Sequence, residues 1–219
     1  MRHPHGLRAA AGAGGIVLPN IGDAFEGGFF AGLISHTANS VPTHALIVAP
    51  AATGASGGGY TITTNLQWKT SNTTTAGTTS SFDGAANTAN MSGGAHPAAD
   101  FCTGLSIGGY SDWYLPARYE LDIAYENLKP TTASNNTSWG INPYSVPERT
   151  VNRTAGDPAQ TSVSAFQSTG SEPFVADFHW SSTEFSSTGA WGLYFLNGDQ
   201  GNVTKGFSRR VRAFRKLAL

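Results

Sequence analysis

Residues able to do chemistry are few and scattered in this chain. His179, Ser181 and Glu184 lie close enough along the sequence to offer a base, a nucleophile and a carboxylate, the parts of a hydrolytic relay. His179, however, adjoins a tryptophan in an expected strand, and its neighbours have simpler scaffold roles, so no catalytic residue is assigned and the chain is read as a non-enzyme. Cys102 is the only cysteine; no intrachain disulfide can form, and its helical spacing to apolar neighbours makes it a packed core thiol. His3 and His5 sit in an N-terminal arm, and His36, His44, His96 and His179 show no ligand spacing. Asp177, Glu184 and Asp199 could offer oxygens to calcium, but no run of alternating Asp and Asn is present. The expectation is no cofactor, with calcium the one ion that has candidate ligands. Gly12-Ala13-Gly14-Gly15 lacks the strand and helix that a phosphate loop requires.

What positions these residues is a scaffold poor in charge. Charged residues make up 12% of the 219, with 27 Gly and 5 Trp, a composition that suits many short strands joined by turns. The net charge of -1 gives no general attraction to nucleic acid or acidic lipid. Lys205, Arg209, Arg210, Arg212, Arg215 and Lys216 crowd the C-terminus, and no acid follows Asp199. They read as solvated side chains alternating along a last strand, the other reading being an anion-binding patch. No apolar run is long enough to cross a membrane, and Met1 to Ala10 does not lead into the apolar core of a signal peptide. A disulfide-free chain of this kind fits assembly in the cytoplasm of a host cell.

Residues 1–20 carry no periodicity and read as a flexible or attachment arm, leaving 21–219 as one domain. Gly27 to Ser35 and Thr43 to Pro50 read as two strands in a hairpin-like arrangement, and a glycine turn at Gly57-Gly58-Gly59 precedes Tyr60 to Trp68. Thr70 to Ser81 is loop. Ala98, Phe101, Cys102 and Leu105 follow helical spacing, as do Leu121, Ala124, Tyr125 and Leu128. The second of these helices starts at Pro116 and stops before Pro130. Residues 130–175 form an irregular, proline-rich insertion with a short strand near Ser162 to Phe166. Strands return from His179, with Asn197-Gly198 closing a tight hairpin that runs on to Phe207 and Val211 to Arg215 as the final strand.

Several short motifs, in order, carry a resemblance: Phe82-Asp83-Gly84 with Asn87-Thr88, Ala99 with Cys102, Gly109 to Pro116 followed by Glu120-Leu121, Trp180 to Glu184, Ala190-Trp191, Phe195-Leu196-Asn197-Gly198 and Val211-Arg212. Together they resemble the Lcl C-terminal domain family, found at the ends of bacterial collagen-like adhesins and in phage tail proteins. The resemblance implies an α+β, C-type-lectin-like fold with short antiparallel strands, two helices, long loops and paired N- and C-terminal strands. A related fold hosts a formylglycine-generating oxidase, but that chemistry needs reactive cysteines near the C-terminus, which this chain lacks.

The terminal pattern is also similar to the variable proteins of diversity-generating retroelements. That similarity implies a fixed set of Trp180, Ser181, Ser182, Thr183, Glu184, Ala190, Trp191, Phe195, Asn197, Gly198, Lys205, Val211 and Arg212. It implies an exposed ligand-binding set of Phe185, Ser186, Ser187, Thr188, Gly192, Tyr194, Leu196, Asp199, Gln200, Asn202, Val203, Thr204, Phe207 and Ser208. The function implied is a phage virion surface protein, a tail-fibre tip or similar, that binds a host-cell glycan or protein. Residues 1–20 would hold other virion subunits, and the assembly would be a homotrimer. The competing readings are a structural decoration or collar protein and a bacterial surface adhesin.

Overall fold

The computed structural model describes residues 16–56, 65–91 and 93–219. In chain order the elements are β1 (Ala24–Phe25), β2 (Gly28–Ile34), β3 (His44–Val48), α1 (Ala51–Gly54), β4 (Leu66–Gln67), α2 (Gly84–Ala89), α3 (Pro97–Thr103), α4 (Arg118–Leu128), β5 (Ser145–Val146), β6 (Phe178–Glu184), β7 (Gly189–Tyr194), β8 (Asp199–Thr204), β9 (Ser208–Arg209) and β10 (Phe214–Ala218). One sheet runs β1-β2-β3-β10, with β5 also paired to β2; β4 pairs β9; and β6-β7-β8 form a third sheet. All of these pairings are antiparallel. With its helices and long irregular connections, the chain has the lectin-like α+β fold.

The unbroken apolar run of β3 follows from burial on both faces. Leu46 and Val48 enter one core with Leu121, Ala124, Tyr125 and Leu128 of α4, while Ile47 and Ala49 enter a second with Trp68, Trp113, Trp180 and Cys102. A strand covered on both sides has no need of a polar alternate position. Each buried tryptophan satisfies its indole N–H on a backbone carbonyl: Trp68 on Ser181 (2.8 Å), Trp180 on Leu66 (2.8 Å) and Trp113 on Tyr110 (3.1 Å). The ring fills the core while its one polar atom ties two segments together. Cys102 is fully buried, and burial pushes its thiol pKa up, which removes its reactivity.

Several expectations need correction. The last strand is β10 at Phe214–Ala218, not Val211 to Arg215, and its partner is β3, which lies between it and β2. The terminal strands are therefore not direct neighbours. Ser164–Phe166 is a 3-10 turn rather than a strand. Four residues, not two, separate β7 from β8; the amides of Asn197 and Gly198 both reach the Tyr194 carbonyl, at 3.2 and 2.8 Å, and Gly198 adopts φ 74°. Helices α1 and α2 are too short to show a period and were not expected. Gly57-Gly58-Gly59, most of Tyr60 to Trp68 and residues 1–15 of the arm lie outside the described residues.

The C-terminal cations are not an alternating solvated row. Lys205, Arg210, Arg212 and Arg215 are buried. Arg212 pairs with Glu172 (3.1 Å), Arg215 holds Asp112 in a two-point contact, and Lys216 pairs with Asp83 (2.6 Å). Acids far upstream in the chain supply the partners, so a count of local acids misjudged the exposure.

Helix α4 carries the motif residues Glu120 and Leu121 for a local reason. Its N-cap is Ala117, which has no side-chain acceptor, so the caps come from elsewhere. Glu120 Oε2 accepts the Ala117 amide (2.7 Å) and the Gly84 amide (3.2 Å), its Oε1 accepts the Tyr114 hydroxyl (2.8 Å), and Thr183 Oγ1 accepts the Arg118 amide (3.0 Å). A methyl group on Gly84 would sit 2.4 Å from Glu120 Oε2 and 2.5 Å from the Ala117 nitrogen. Gly84→Ala is therefore expected to cost about 1–3 kcal/mol by overpacking, read from the urea midpoint; an unchanged midpoint would show that α2 can move away from α4.

Three histidines make the fold sensitive to acid. Burial, with Lys216 and His44 nearby, lowers His36 to about 4; burial and Lys216 also lower His44; and burial, followed by Arg212 and Arg210, brings His179 to about 3. A depressed histidine pKa stabilises the fold above its unfolded value near 6.5, and that contribution is lost as pH falls towards the folded value. Glu120 has the opposite sign. Burial raises it to about 7, so its contribution is complete below about 4.5 and is lost as pH rises towards 7. Asp122 and Glu126, which burial also raises, act in the same direction as Glu120, so three carboxyls oppose the three histidines and the single variants carry the test. In urea titrations between pH 6.5 and 4.5 His36→Gln should shift the pH slope towards greater stability in acid than in the unsubstituted protein, and Glu120→Gln should shift it the other way; the reverse order would overturn the assignment.

Candidate functional site

The β6-β7-β8 sheet carries most of the expected ligand set, and its register sorts the residues by face. Directly opposed residues share a face: Trp191 with Asn202, Leu193 with Gln200 and Gly189 with Thr204 on one side, and Tyr194 with Asp199, Gly192 with Gly201 and Ala190 with Val203 on the other. The expected set is thus divided between two surfaces. Phe185, Ser187, Thr188, Asn202, Thr204, Phe207 and Ser208 are exposed, while Ser186, Tyr194, Leu196, Asp199 and Val203 are half-buried. Gly192 and Gln200 are buried and cannot form an open face. A β-carbon on Gly192 would lie 3.5 Å from the Phe178 ring, and the Gln200 side chain is taken up by α4.

On the first surface, aromatic side chains from α4, the insertion and β7 meet around Arg118, and Phe185 packs on one of them. The Arg118 guanidinium lies 3.9 Å from the Trp191 ring centroid, 5.2 Å from that of Trp139 and 5.3 Å from that of Tyr119. Trp191 meets Trp139 edge to face at 6.0 Å and 82°, and Phe185 at 5.2 Å and 87°. Trp139, Trp191 and Tyr119 are half-buried, and Phe185 is 51% exposed. Trp191, read from the sequence as a fixed frame residue, is half-buried, with Arg118, Trp139 and Phe185 packed against its indole.

A buried polar network holds Arg118 in place. Its Nε donates to Gln200 Oε1 (2.6 Å), and Gln200 Nε2 donates to Asp122 Oδ1 (2.6 Å). Asp122 is fully buried, pairs with Arg153 and accepts the Asn142 amide (3.1 Å). Arg153 also reaches Glu126 (2.7 Å) and the Gly198 carbonyl (3.0 Å). Among the described residues the two terminal nitrogens of Arg118 have no hydrogen-bond partner. Asp199, on the Tyr194 side by register but at the very start of β8, accepts through Oδ1 the Trp139 indole N–H (3.0 Å) and the Asn136 amide (2.8 Å), so it anchors the insertion loop from the sheet end. Ser186 Oγ accepts the Gly189 and Thr188 amides at 3.0 and 3.3 Å and shapes the β6-β7 turn.

The second surface is smaller. Phe178 stacks on Tyr194 at 4.9 Å and 18°, and Arg209 lies 5.7 Å from the Phe178 ring and 5.8 Å from that of Phe207, which is 57% exposed.

Arg118, Tyr119 and Trp139 were not in the expected set. Arg118 sits at the first position of a helix and Trp139 in an insertion without periodicity; the one available signal was a large aromatic with no scaffold element around it. The hydrolytic candidates do not converge: His179 Nδ1 faces the Asp177 carbonyl (3.0 Å), Ser181 donates to the Trp191 carbonyl (2.9 Å), and Glu184 pairs with Lys205. Among the described residues no three His, Cys, Asp or Glu side chains cluster as metal ligands, and no helix is long and apolar enough to cross a membrane.

Comparison with curated proteins finds no match. The profile of the Lcl C-terminal domain matches residues 61–215, a span holding α2 to α4, the β6-β7-β8 sheet and both aromatic surfaces. By that match the chain belongs to the Lcl C-terminal domain family, an adhesin-like domain of bacteria and phages.

Proposed function

We propose that this protein is a non-enzymatic, cofactor-free receptor-binding domain of a phage virion, at a tail-fibre tip or similar position, and that its ligand face is the surface around Trp191 and Arg118. The observation that supports this reading most is the convergence of half-exposed rings from residues 119, 139 and 191 on one arginine, with exposed Phe185 packed on Trp191 and Ser, Thr and Asn at the rim. Trp, Tyr and Arg are the side chains that dominate binding energy in interfaces. Small polar residues around them give adaptable hydrogen bonds at low entropic cost. The N-terminal residues 1–20 would join other virion subunits, and a trimer would multiply a weak single-site affinity through avidity. Rewriting of exposed β7-β8 residues by a diversity-generating retroelement fits the exposure of Asn202 and Thr204. It does not fit Gln200, which the interior requires.

The test is to add labelled protein to cells of candidate hosts and follow saturable binding and competition with intact particles. Binding that blocks adsorption supports a receptor-binding tip. A folded sample of defined oligomeric state that binds no cell would favour the structural decoration reading. The Phe178, Tyr194 and Phe207 surface favours that alternative, since a compact aromatic patch beside Arg209 suits packing against another subunit.

A further inference from the structure

The geometry around Arg118 points to the kind of partner, an inference that rests on the receptor-binding reading above. We infer that the ligand is a protein and that an Asp or Glu side chain of that protein docks on the free end of the Arg118 guanidinium.

Two observations carry this. The first is the state of the arginine. Its Nε is committed to Gln200, its central carbon sits over the Trp191 ring 3.9 Å from the centroid, and its terminal nitrogens have no hydrogen-bond partner among the described residues. A guanidinium fixed at one edge and on one face presents its remaining donors in a fork that matches a carboxylate. Among the described residues no acid pairs with it: Asp122, behind Gln200, is buried against Arg153, and Asp199 is engaged through Oδ1 with Trp139 and Asn136.

The second observation is how the rings meet. A sugar stacks on an open, flat aromatic face. Here Arg118 covers one face of Trp191, and both Trp139 and Phe185 approach the same indole nearly perpendicular to it. Rings packed edge to face leave clefts between edges rather than a flat platform. Side chains of a polypeptide fill such clefts, and the surrounding Ser187, Thr188 and Asn202 provide the polar rim that excludes water from a protein hot spot.

The test measures binding of the labelled full chain to a panel of bacterial strains, with binding strains then treated either with protease or with periodate, which oxidises surface glycans. Wild type, Arg118→Gln and Arg118→Lys are compared, with circular dichroism as the check that each folds. Expected are loss of binding after protease, retention after periodate, and a fall of about 30-fold or more for Arg118→Gln, the effect of removing one partner of a desolvated charge pair. Arg118→Lys keeps the charge without the fork and should recover only part of the loss. Binding that survives protease and falls with periodate overturns the inference, as does folded Arg118→Gln that binds within about twofold of wild type. In both of these cases untreated cells still bind the wild type, so the receptor reading survives. Absence of saturable binding on every strain refutes that reading and this inference with it.

Discussion

Lys205→Met is expected to remove about 3–5 kcal/mol of folding stability, the cost of leaving a buried carboxylate without its cation. Lys205 is fully buried, pairs with Glu184, and donates also to the carbonyls of Thr73 (2.9 Å) and Ser187 (3.0 Å). Glu184 in turn accepts the Thr75 amide (3.0 Å) and the Thr78 hydroxyl (3.3 Å). These contacts tie the 70–81 loop to the end of β6 and to the residue that follows β8. Burial lowers the Lys205 pKa and Glu184 opposes that shift, so each charge depends on the other for its place in the interior. Glu184→Gln should cost a similar amount because an amide cannot neutralise Lys205. The double variant Lys205→Met/Glu184→Gln is expected to be less damaging than the sum of the two, since no charge is then left unpaired. A urea-based double-mutant cycle measures this. Single variants that each lose less than about 1 kcal/mol would mean that water reaches the pair.

With ordinary domain stabilities of about 5–15 kcal/mol, such a loss would bring the 70–81 loop near its unfolding threshold and so change the edge of the sheet that carries the proposed ligand face. The loop holds no regular element; two ammonium groups hold it instead, Lys69 through the carbonyls of Thr73 (3.2 Å) and Thr74 (3.0 Å) and the Thr75 hydroxyl (2.9 Å), and Lys205 through the Thr73 carbonyl (2.9 Å). The Thr-rich composition that reads as plain loop is thus fitted to two buried cations, of which Lys205 also lies 4.7 Å from the Trp68 ring.

The parts of the fold legible in the sequence were those set by neighbours along the chain. Helices α3 and α4 follow from apolar spacing within each segment, and β2 and β3 from uninterrupted apolar runs bounded by Gly and Pro. Trp113 and Trp180 were legible as interior because each stands in a motif with flanking scaffold residues. Burial of Arg212 and Arg215 was not, because their partners, Glu172 and Asp112, are brought in by folding over long sequence separations. Gln200 shows the same limit from the other side. Alternation along β8 places it on the face of Asn202, yet that face is covered by α4 at one end and open at the other, and no pattern within β8 encodes where the helix begins. The proposed ligand surface therefore depends on a boundary, the first turn of α4, which a strand-by-strand reading does not see.

That boundary sets up the last expected result. Trp191→Ala should lower binding to a susceptible cell by about 30- to 1,000-fold, the range for a central interface residue worth about 2–4 kcal/mol. The combined change Tyr194→Ala/Phe207→Ala should leave binding within a few-fold. Alternation along β7 directs Trp191 and Tyr194 to opposite sides of the same sheet, so the two variants test the faces separately. Both leave the buried tryptophans and the Glu184–Lys205 pair intact. Trp191→Ala also removes the ring on which Arg118 lies, so its effect should exceed that of Phe185→Ala, which takes away one edge contact and leaves the arginine seated. Folding is checked by circular dichroism and the urea midpoint. If the double variant instead abolishes binding and Trp191→Ala does not, the ligand face is the Phe178–Tyr194 side, and Arg209 rather than Arg118 becomes the arginine that meets the partner.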